Sequence, residues 1–362
     1  MEHAELRGYQ QGIGASFVFV RGVETVSNYG DSLAEYRALI RTAGVLDLSS
    51  RGRLCLLGAD RIRFLNGQVT NDIKGLTVGQ GCYAALVTAK GRMQSDLNVY
   101  NLPDELLLDF EPGLVETVSP RLEKYVVADD VQIENVAQLY GLLSVQGPEA
   151  ETVTKSLVAV SALPSLPLLF TTLGDSHQGE IYVMNRPRLR TCGFDVFVPE
   201  SSVATVFDRL VAAAKSSGGG ACGWDALEMA RIEAGIPRFG IDMDETNFPQ
   251  ECGIEQQAVS YTKGCYIGQE ILNRIHTLGH VNQQLCGLRL PSELKPLPSH
   301  RDKLFQAGSQ VGYLTSTTAS PALQTNIALG FVRKELNVLG SQLVVQTTAG
   351  NIPAQIAELP FV

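Results

Sequence analysis

The chain has 362 residues, of which 44% are hydrophobic and 19% are charged, a composition typical of a globular protein with two or three domains. The formal net charge of −9 argues against a broad nucleic-acid-binding surface. No apolar run reaches the length of a membrane span, so we expect neither nucleic-acid nor membrane partners.

The cysteines and the N-terminus indicate the compartment. The seven cysteines are an odd number, are widely spaced and include no C-x-x-C pair, which excludes a disulfide framework and the usual zinc-ribbon spacing. The first residues lack the charged-then-apolar pattern of a signal peptide. We therefore expect a reducing, cytoplasmic location and no metal site.

Short strands and helices alternate at the start of the chain. Residues 17–20 predict a strand, and Asp31 precedes a helix predicted over 33–42. Residues 82–88 and 92–100 predict two further strands, which form a hairpin with a short loop.

The second strand of that hairpin carries polar residues on both of its faces. Because side chains alternate along a strand, Met93, Ser95 and Leu97 share one face. Asp96 therefore points to the opposite face from Ser95.

The second half of the chain contains two helical patterns and a strand-rich tail. Residues 201–215 predict an amphipathic helix. Asp225 is predicted to cap another, with Glu228 completing a capping-box pattern. The tail from Gln283 to the end predicts short strands of a small barrel or sandwich.

The densest run of chemically capable residues is Lys-Gly-Cys-Tyr-Ile-Gly-Gln-Glu at 263–270. Isoleucines spaced four apart over 267–275 predict a helix that places Cys265 at or near its N-terminus. The free N–H groups and dipole there, together with Lys263, lower the pKa of a thiol. The spacing alone leaves two alternatives open, a functional thiol and a buried, inert cysteine.

This octapeptide resembles the signature of the YgfZ family of folate-binding proteins, which are linked to iron–sulfur cluster assembly and repair. These proteins are relatives of the T protein, the aminomethyltransferase of the glycine cleavage system. Two more segments, Gly-Val-Leu-Asp-Leu-Ser from Gly44 and Arg-Ile-Glu-Ala-Gly from Arg231, resemble T proteins. The similarity runs from about Gly44 to the tail.

The resemblance implies an α+β fold of the GcvT/YgfZ-like type, with three lobes around a folate pocket. Residues 1–280 are expected to form an aminomethyltransferase-like folate-binding region of two interleaved lobes. Residues 281–362 are expected to form a C-terminal β-barrel domain.

The resemblance also implies the site residues. The expected catalytic residues are Cys265 and Lys263, and the expected tetrahydrofolate-binding residues are Arg231, Asp96, Gln269 and Glu270. An arginine suits this task because its forked donors bind a carboxylate or a polar pterin edge. From the pattern alone, Arg231 also fits a helix-surface arginine paired with a neighbouring glutamate.

One departure bears on catalysis. T proteins carry two adjacent aspartates where this chain has Ser95-Asp96, and the first is the one proposed to act on the substrate. A serine hydroxyl cannot replace a carboxylate in proton transfer, so the enzyme status stays open. The family's folate-contacting glutamate likewise falls at Thr191.

Three functions follow from these features. The leading expectation is a tetrahydrofolate-binding YgfZ-type protein that supports iron–sulfur cluster assembly or repair without aminomethyltransferase activity. Its partners would be folate and iron–sulfur cluster proteins or cluster-assembly factors. The first alternative is a folate-dependent aminomethyltransferase, and the second is a non-enzymatic scaffold with structural folate.

Overall fold

The computed structural model describes residues 4–157, 163–175 and 179–362. The first three residues, on which the expectation about a signal peptide partly rests, lie outside the described ones. Among the described residues, no helix is long and apolar enough to cross a bilayer. The helices are α1 (Ala4–Gly12), α2 (Ser32–Arg41), α3 (Arg61–Gln68), α4 (Val115–Glu123), α5 (Ala150–Thr154), α6 (Val203–Ser216), α7 (Trp224–Glu233), α8 (Glu255–Ala258) and α9 (Gln269–Leu278).

The strands are β1 (Ser16–Val20), β2 (Val23–Asn28), β3 (Gly44–Asp47), β4 (Gly52–Leu57), β5 (Gly81–Val87), β6 (Met93–Asn101), β7 (Leu106–Phe110), β8 (Gln132–Asn135), β9 (Tyr140–Gln146), β10 (Phe170–Asp175), β11 (Gly179–Asn185), β12 (Gly193–Pro199), β13 (Gly220–Cys222), β14 (Gln283–Leu290), β15 (Lys303–Gln306), β16 (Ser309–Ser320), β17 (Thr325–Arg333), β18 (Gln342–Thr347) and β19 (Gly350–Ala357).

The chain folds into two compact units, each assembled from separate segments. The first unit comprises Met1–Asn66, Asp72–Tyr83 and Leu97–Ala230. The second comprises Gly67–Asn71, Ala84–Asp96 and Arg231–Val362. The chain thus passes between the units several times, and the expected division after residue 280 stays a prediction.

The first unit contains a six-stranded sheet in the order β10-β11-β12-β9-β3-β13. Its pairs are antiparallel except for the short β13, which lies parallel to β3. The helix α6 packs on this sheet because its apolar residues recur at helical spacing, and the buried ones include Phe207, Leu210 and Ala214. The amphipathic helix expected over 201–215 is therefore confirmed.

A second sheet has the strand order β5-β6-β7-β4-β8. The strand β7 reads Leu-Leu-Leu-Asp-Phe, and all of its residues are buried. A strand covered on both faces normally lacks charge, so the fully buried Asp109 requires partners within the protein.

The second unit contains a closed six-stranded barrel in the order β14-β17-β16-β15-β18-β19. Its interior is filled by aliphatic side chains such as Leu288, Leu314 and Val345. Along β18 buried and exposed residues alternate, as they must when one face of a strand lines a barrel interior. The barrel expected from the sequence is confirmed.

Helix starts show where local patterns suffice and where they fail. Asp31 caps α2 as predicted, because its carboxylate accepts hydrogen bonds from the N–H groups of Leu33 and Ala34 at 3.0 Å. The prediction for Asp225 is wrong, since α7 already begins at Trp224. The Asp225 carboxylate instead accepts a hydrogen bond from Ser27 Oγ at 2.8 Å.

Candidate functional site

The segment 263–270 is mostly irregular. The helix α9 begins at Gln269, after Gly268, which has a left-handed backbone with φ of +86°. That conformation cannot continue a right-handed helix, so the helix starts four residues after Cys265. The expectation that Cys265 lies at a helix N-terminus is therefore wrong, and the dipole argument no longer applies because the effect falls off within the first turn.

Lys263 lies in the interior of the second unit. Its side chain is buried, and Nζ donates hydrogen bonds to the carbonyl oxygens of Val69 at 2.9 Å and Asn71 at 2.5 Å. The ammonium also lies 5.0 Å from the centre of the Tyr266 ring. These contacts give Lys263 a structural task, namely to hold the segment 67–71, and its activation of a thiol stays a prediction.

Gly268 packs against the β5–β6 hairpin. A Cβ atom at this position would lie 2.6 Å from the Thr88 carbonyl oxygen, which is closer than real Cβ atoms approach. The preceding residue, Ile267, donates its N–H to the Gly67 carbonyl at 3.1 Å. Gly268, the second glycine of the octapeptide, is thus required by both its backbone conformation and this close approach.

Thr70 links the segment 67–71 to β5 and to the end of α8, although the sequence analysis did not identify it. Its Oγ1 donates to the Ala258 carbonyl at 2.6 Å and accepts from the Ala85 N–H at 2.9 Å. The signal for it in the sequence is the amide-rich run Asn-Gly-Gln-Val-Thr-Asn, which marks a turn but not its partners.

The cysteines differ sharply in exposure. Cys265 is exposed, whereas Cys252 and Cys286 in the same unit are buried. Burial raises the pKa of Cys286 to about 12 and raises that of Cys252 as well, because an apolar interior disfavours the thiolate. Cys265 is therefore accessible to reagents in a way that the other two thiols are not.

The Ser95-Asp96 pair lies on β6, where burial separates the two residues. Ser95 is fully buried with Met93 on the core face, and its Oγ donates to the Asp96 carbonyl oxygen at 2.9 Å. The Asp96 side chain stands on the other face and is half-buried. The less buried face of this strand thus carries a carboxylate at position 96, so the serine at 95 does not by itself remove the acid from the strand.

Arg231 is sequestered in an ion pair. Its guanidinium binds the Asp242 carboxylate and donates to Ser316 Oγ at 2.7 Å, and the side chain is only 3% exposed. Asp242 also accepts hydrogen bonds from Thr315 Oγ1 at 2.5 Å. This geometry supports a structural role for Arg231, with Asp242 as a buried ion-pair partner that the helix pattern does not indicate.

Gln269 and Glu270 open α9. Gln269 is half-buried and Glu270 is exposed. The helix packs on the tip of the β5–β6 hairpin, where a Cβ atom at Gly91 would lie 3.2 Å from side-chain atoms of both Ile271 and Leu272. The two polar residues are thus fixed near the hairpin that carries Asp96, and a folate contact for them stays a prediction.

His276 has protein partners in the second unit. Its Nδ1 lies 2.9 Å from Glu255 Oε1, and its ring stacks on Tyr261 with 3.8 Å between ring centres. Among the described residues, no group of three or more His, Cys, Asp or Glu side chains has the arrangement of a metal site.

The first unit holds a buried ion network that sequence reasoning missed. Arg51 precedes β4, and its Nε donates to Asp109 Oδ1 of β7 at 2.6 Å. A second guanidinium nitrogen of Arg51 binds the Glu111 carboxylate. The only local signals are an arginine in Leu-Ser-Ser-Arg-Gly and an aspartate inside an apolar strand.

Arg188 extends the network to the six-stranded sheet. Its Nη2 donates to Asp109 Oδ2 at 3.1 Å and to Asp195 Oδ2 at 2.6 Å. Burial disfavours the ionised Asp109, but the two arginines outweigh burial and hold the pKa of that carboxyl below its usual range. Asp109 is therefore an anion at neutral pH that joins the five-stranded sheet to the six-stranded sheet.

Comparison with known proteins relates both parts of the chain to one kind of protein. Residues 6–263 match the GCVT N-terminal domain, and residues 283–362 match the glycine cleavage T-protein C-terminal barrel domain. The aminomethyltransferase of Bacillus subtilis is 26% identical over 341 residues, which cover 94% of this chain and 93% of that protein. The aminomethyltransferase of Rubrobacter xylanophilus is 29% identical over 351 residues, or 96% and 91% of the two chains.

A solved structure shows the same fold. The glycine cleavage system aminomethyltransferase T from Bartonella henselae superposes with a TM-score of 0.88 at 21% identity, covering 99% of this chain and 97% of that one. The expected GcvT-like α+β fold with a C-terminal barrel is thus confirmed.

The leading functional expectation is wrong. The relatives that match over nearly the whole chain are named aminomethyltransferase, and the matched structure is a T protein, whereas neither comparison supports a role in iron–sulfur cluster assembly. By the matches to both of its domains, the chain belongs to the GCVT family of glycine cleavage T-protein domains.

Proposed function

We propose that this protein is a folate-dependent aminomethyltransferase that transfers the carbon of a sulfur-bound aminomethyl group to tetrahydrofolate as a methylene group, with release of ammonia and the free thiol. The observation that carries the proposal is the half-buried carboxylate of Asp96, on the face of β6 opposite to the buried Ser95. Full-length similarity to proteins named aminomethyltransferase supports the same activity. Residues 1–280 would form the folate-binding region, and 281–362 the barrel domain.

Asp96 has the chemistry that the reaction requires. A carboxylate accepts a hydrogen bond from a folate N–H and stabilises positive charge that develops on the transferred carbon or nitrogen. Ser95 cannot do either from the core face, because its hydroxyl is buried and donates to a backbone carbonyl. The acid therefore belongs at position 96.

The other residues predicted from the sequence have secondary roles in this proposal. Gln269 and Glu270 lie at the start of the helix that packs on the Asp96 hairpin, and they are candidates for polar contacts with folate. Arg231 is engaged with Asp242, which makes it a residue that supports the fold around the site. Cys265 is an exposed thiol whose participation in transfer stays open to test.

The test is an assay of purified full-length protein with a lipoyl-bound aminomethyl donor and tetrahydrofolate, read out as methylene-folate formed. We expect turnover on the order of 1 per second or more. The variant Asp96→Asn should lower turnover by about 100-fold or more, as for loss of a general acid or base. The matched control, Ser95→Ala, should keep most of the activity.

Two outcomes would contradict the proposal. If wild-type protein binds tetrahydrofolate in calorimetry but transfers nothing, the scaffold alternative becomes the better one. If Ser95→Ala is as inactive as Asp96→Asn while both remain folded, the acid has been placed on the wrong face.

A further inference from the structure

We propose that a cavity in the first unit is a second ligand site, which binds a small organic amine with an apolar tail. The cavity has a volume of about 430 Å³, within the range of small-molecule sites. It has three walls: the helix α1, the β1–β2 hairpin and the turn that follows β3. It is independent of the proposed transferase activity.

Two hydroxyl groups on the cavity wall lack partners. Thr25 on β2 is only 5% exposed, and its Oγ1 has no hydrogen-bond partner within the described residues. The same holds for Ser50 Oγ in the turn after β3. Both residues line the cavity, although the two oxygens are closed to solvent. Because a buried hydroxyl without a partner costs stability, a ligand toward which these hydroxyls rotate is favoured.

The charge of the cavity selects the kind of ligand. Asp47 lines it, and its carboxylate accepts hydrogen bonds from the Gln10 amide at 2.7 Å and from the Ser49 N–H at 2.9 Å. Both donors are neutral, and no lysine or arginine pairs with Asp47 in the part of the chain that the structure describes. Each carboxylate oxygen can accept a further bond, which suits an ammonium group.

The other charged groups at the cavity cancel. Arg7 and Glu24 also line it, and they form an ion pair with 2.7 Å between Nε and Oε2. The negative charge that remains is that of Asp47. The cavity therefore presents a net negative charge, which favours a cation over a carboxylate or a phosphate.

The rest of the wall is apolar. Phe17 of β1 is the partly exposed part of this wall, with the Arg7 guanidinium 4.8 Å from its ring centre, and Leu6 and Val26 are buried beneath it. Removing apolar surface from water favours a ligand with a hydrocarbon or aromatic tail. An ammonium head near Asp47 and a tail on this wall fit these groups, and the hydroxyls of Thr25 and Ser50 can turn toward such a ligand.

Calorimetry on the full chain with phenethylamine as probe tests the proposal. We expect saturable binding, and little binding of 3-phenylpropionate, which has the same ring but the opposite charge. Asp47→Asn should weaken phenethylamine binding by about tenfold or more, as for loss of a charge-assisted hydrogen bond. Thr25→Val, which keeps the shape but removes the hydroxyl, should weaken it less, by about fivefold.

Controls separate binding from folding and from the folate site. Asp104→Asn removes an exposed carboxylate outside the cavity and should bind like wild type. Saturating tetrahydrofolate should leave phenethylamine affinity unchanged. The thermal transition of each variant reports whether it is folded, and the comparison of the two probes needs only wild-type protein.

Three results would overturn the proposal. The first is the absence of saturable phenethylamine binding, and the second is equal affinity for the amine and the carboxylate. The third is competition with tetrahydrofolate, which would assign the binding to the transferase site. Since none of these results depends on aminomethyl transfer, failure here and failure of the proposed activity are distinguishable.

Discussion

The buried arginines of the first unit and the buried Lys263 of the second unit are stabilised in different ways. In the first unit, Arg51 and Arg188 form ion pairs with the carboxylates of Asp109 and Asp195, so each buried cation has anionic partners. In the second unit, the Lys263 ammonium donates to two backbone carbonyl oxygens. A forked guanidinium suits the first arrangement, and a compact ammonium with three donors suits the second.

The difference indicates what each cation stabilises. The arginine network joins strands of two sheets, so its loss leaves uncompensated charges inside the core of the unit. Lys263 joins a loop to the short segment 67–71. Without its ammonium, the carbonyl oxygens of Val69 and Asn71 need water molecules as hydrogen-bond donors. We therefore expect the network to control global stability and Lys263 to control the local order of the octapeptide.

The largest effect is expected from Asp109→Asn. This change leaves two buried guanidinium groups with one anion fewer, which should lower the free energy of unfolding by about 3 to 5 kcal/mol. Urea denaturation of the purified protein measures it. Asp104→Asn, an exposed carboxylate in the same unit, is the control and should change stability by less than about 0.5 kcal/mol. A similar change in the free energy of unfolding for both variants would show that the network does not control the stability of the unit.

A smaller effect is expected from Lys263→Met. Methionine keeps an unbranched, flexible side chain but cannot donate, so the two carbonyl oxygens lose a charged donor, at a cost of about 1.5 to 3 kcal/mol. Hydrogen exchange should rise first in residues 67–71 if the effect is local. The control is Lys90→Met, an exposed lysine in the same unit. Uniformly faster exchange across the second unit would show that the effect is not local.

The two glycines that flank α9 sharpen the comparison. Gly268→Ala places a Cβ atom 2.6 Å from the Thr88 carbonyl and forces a left-handed alanine, at about 2 kcal/mol. Gly279 at the other end also has a positive φ, of +64°, but nothing lies within 4 Å of its added Cβ. Gly279→Ala should therefore cost only about 1 kcal/mol. Equal costs in urea denaturation would show that the contact with Thr88 is unimportant.

A further effect, spread over the acid range, is a slope of stability with pH. Since the pKa of Asp109 is lower in the folded than in the unfolded protein, its contribution is complete above the unfolded value and is lost as pH falls. Between about pH 5 and pH 3, wild-type stability should fall more steeply than that of Asp109→Asn, by up to about 1.4 kcal/mol per pH unit. Parallel curves for the two proteins would contradict the lowered pKa.

Local sequence patterns determined several parts of this protein. Asp31 marked a helix start because a capping carboxylate acts on residues two and three positions away. The hairpin of β5 and β6 and the strands of the barrel followed from alternation and turn residues, which also act at short range. The faces of Ser95 and Asp96 followed from the period of a strand, although what each face meant for catalysis did not.

Other features depended on tertiary structure because their partners are far away in the chain. Lys263 binds carbonyl groups 192 and 194 residues earlier, so no local pattern could show that it holds a loop instead of lying beside a thiol. Gly268 packs closely against the Thr88 carbonyl and has a left-handed backbone. The helix therefore starts after Gly268, and not near Cys265 as the local pattern predicts. The partners of Asp109 lie 58 and 79 residues away, and only the packing of two sheets brings them to one buried carboxylate.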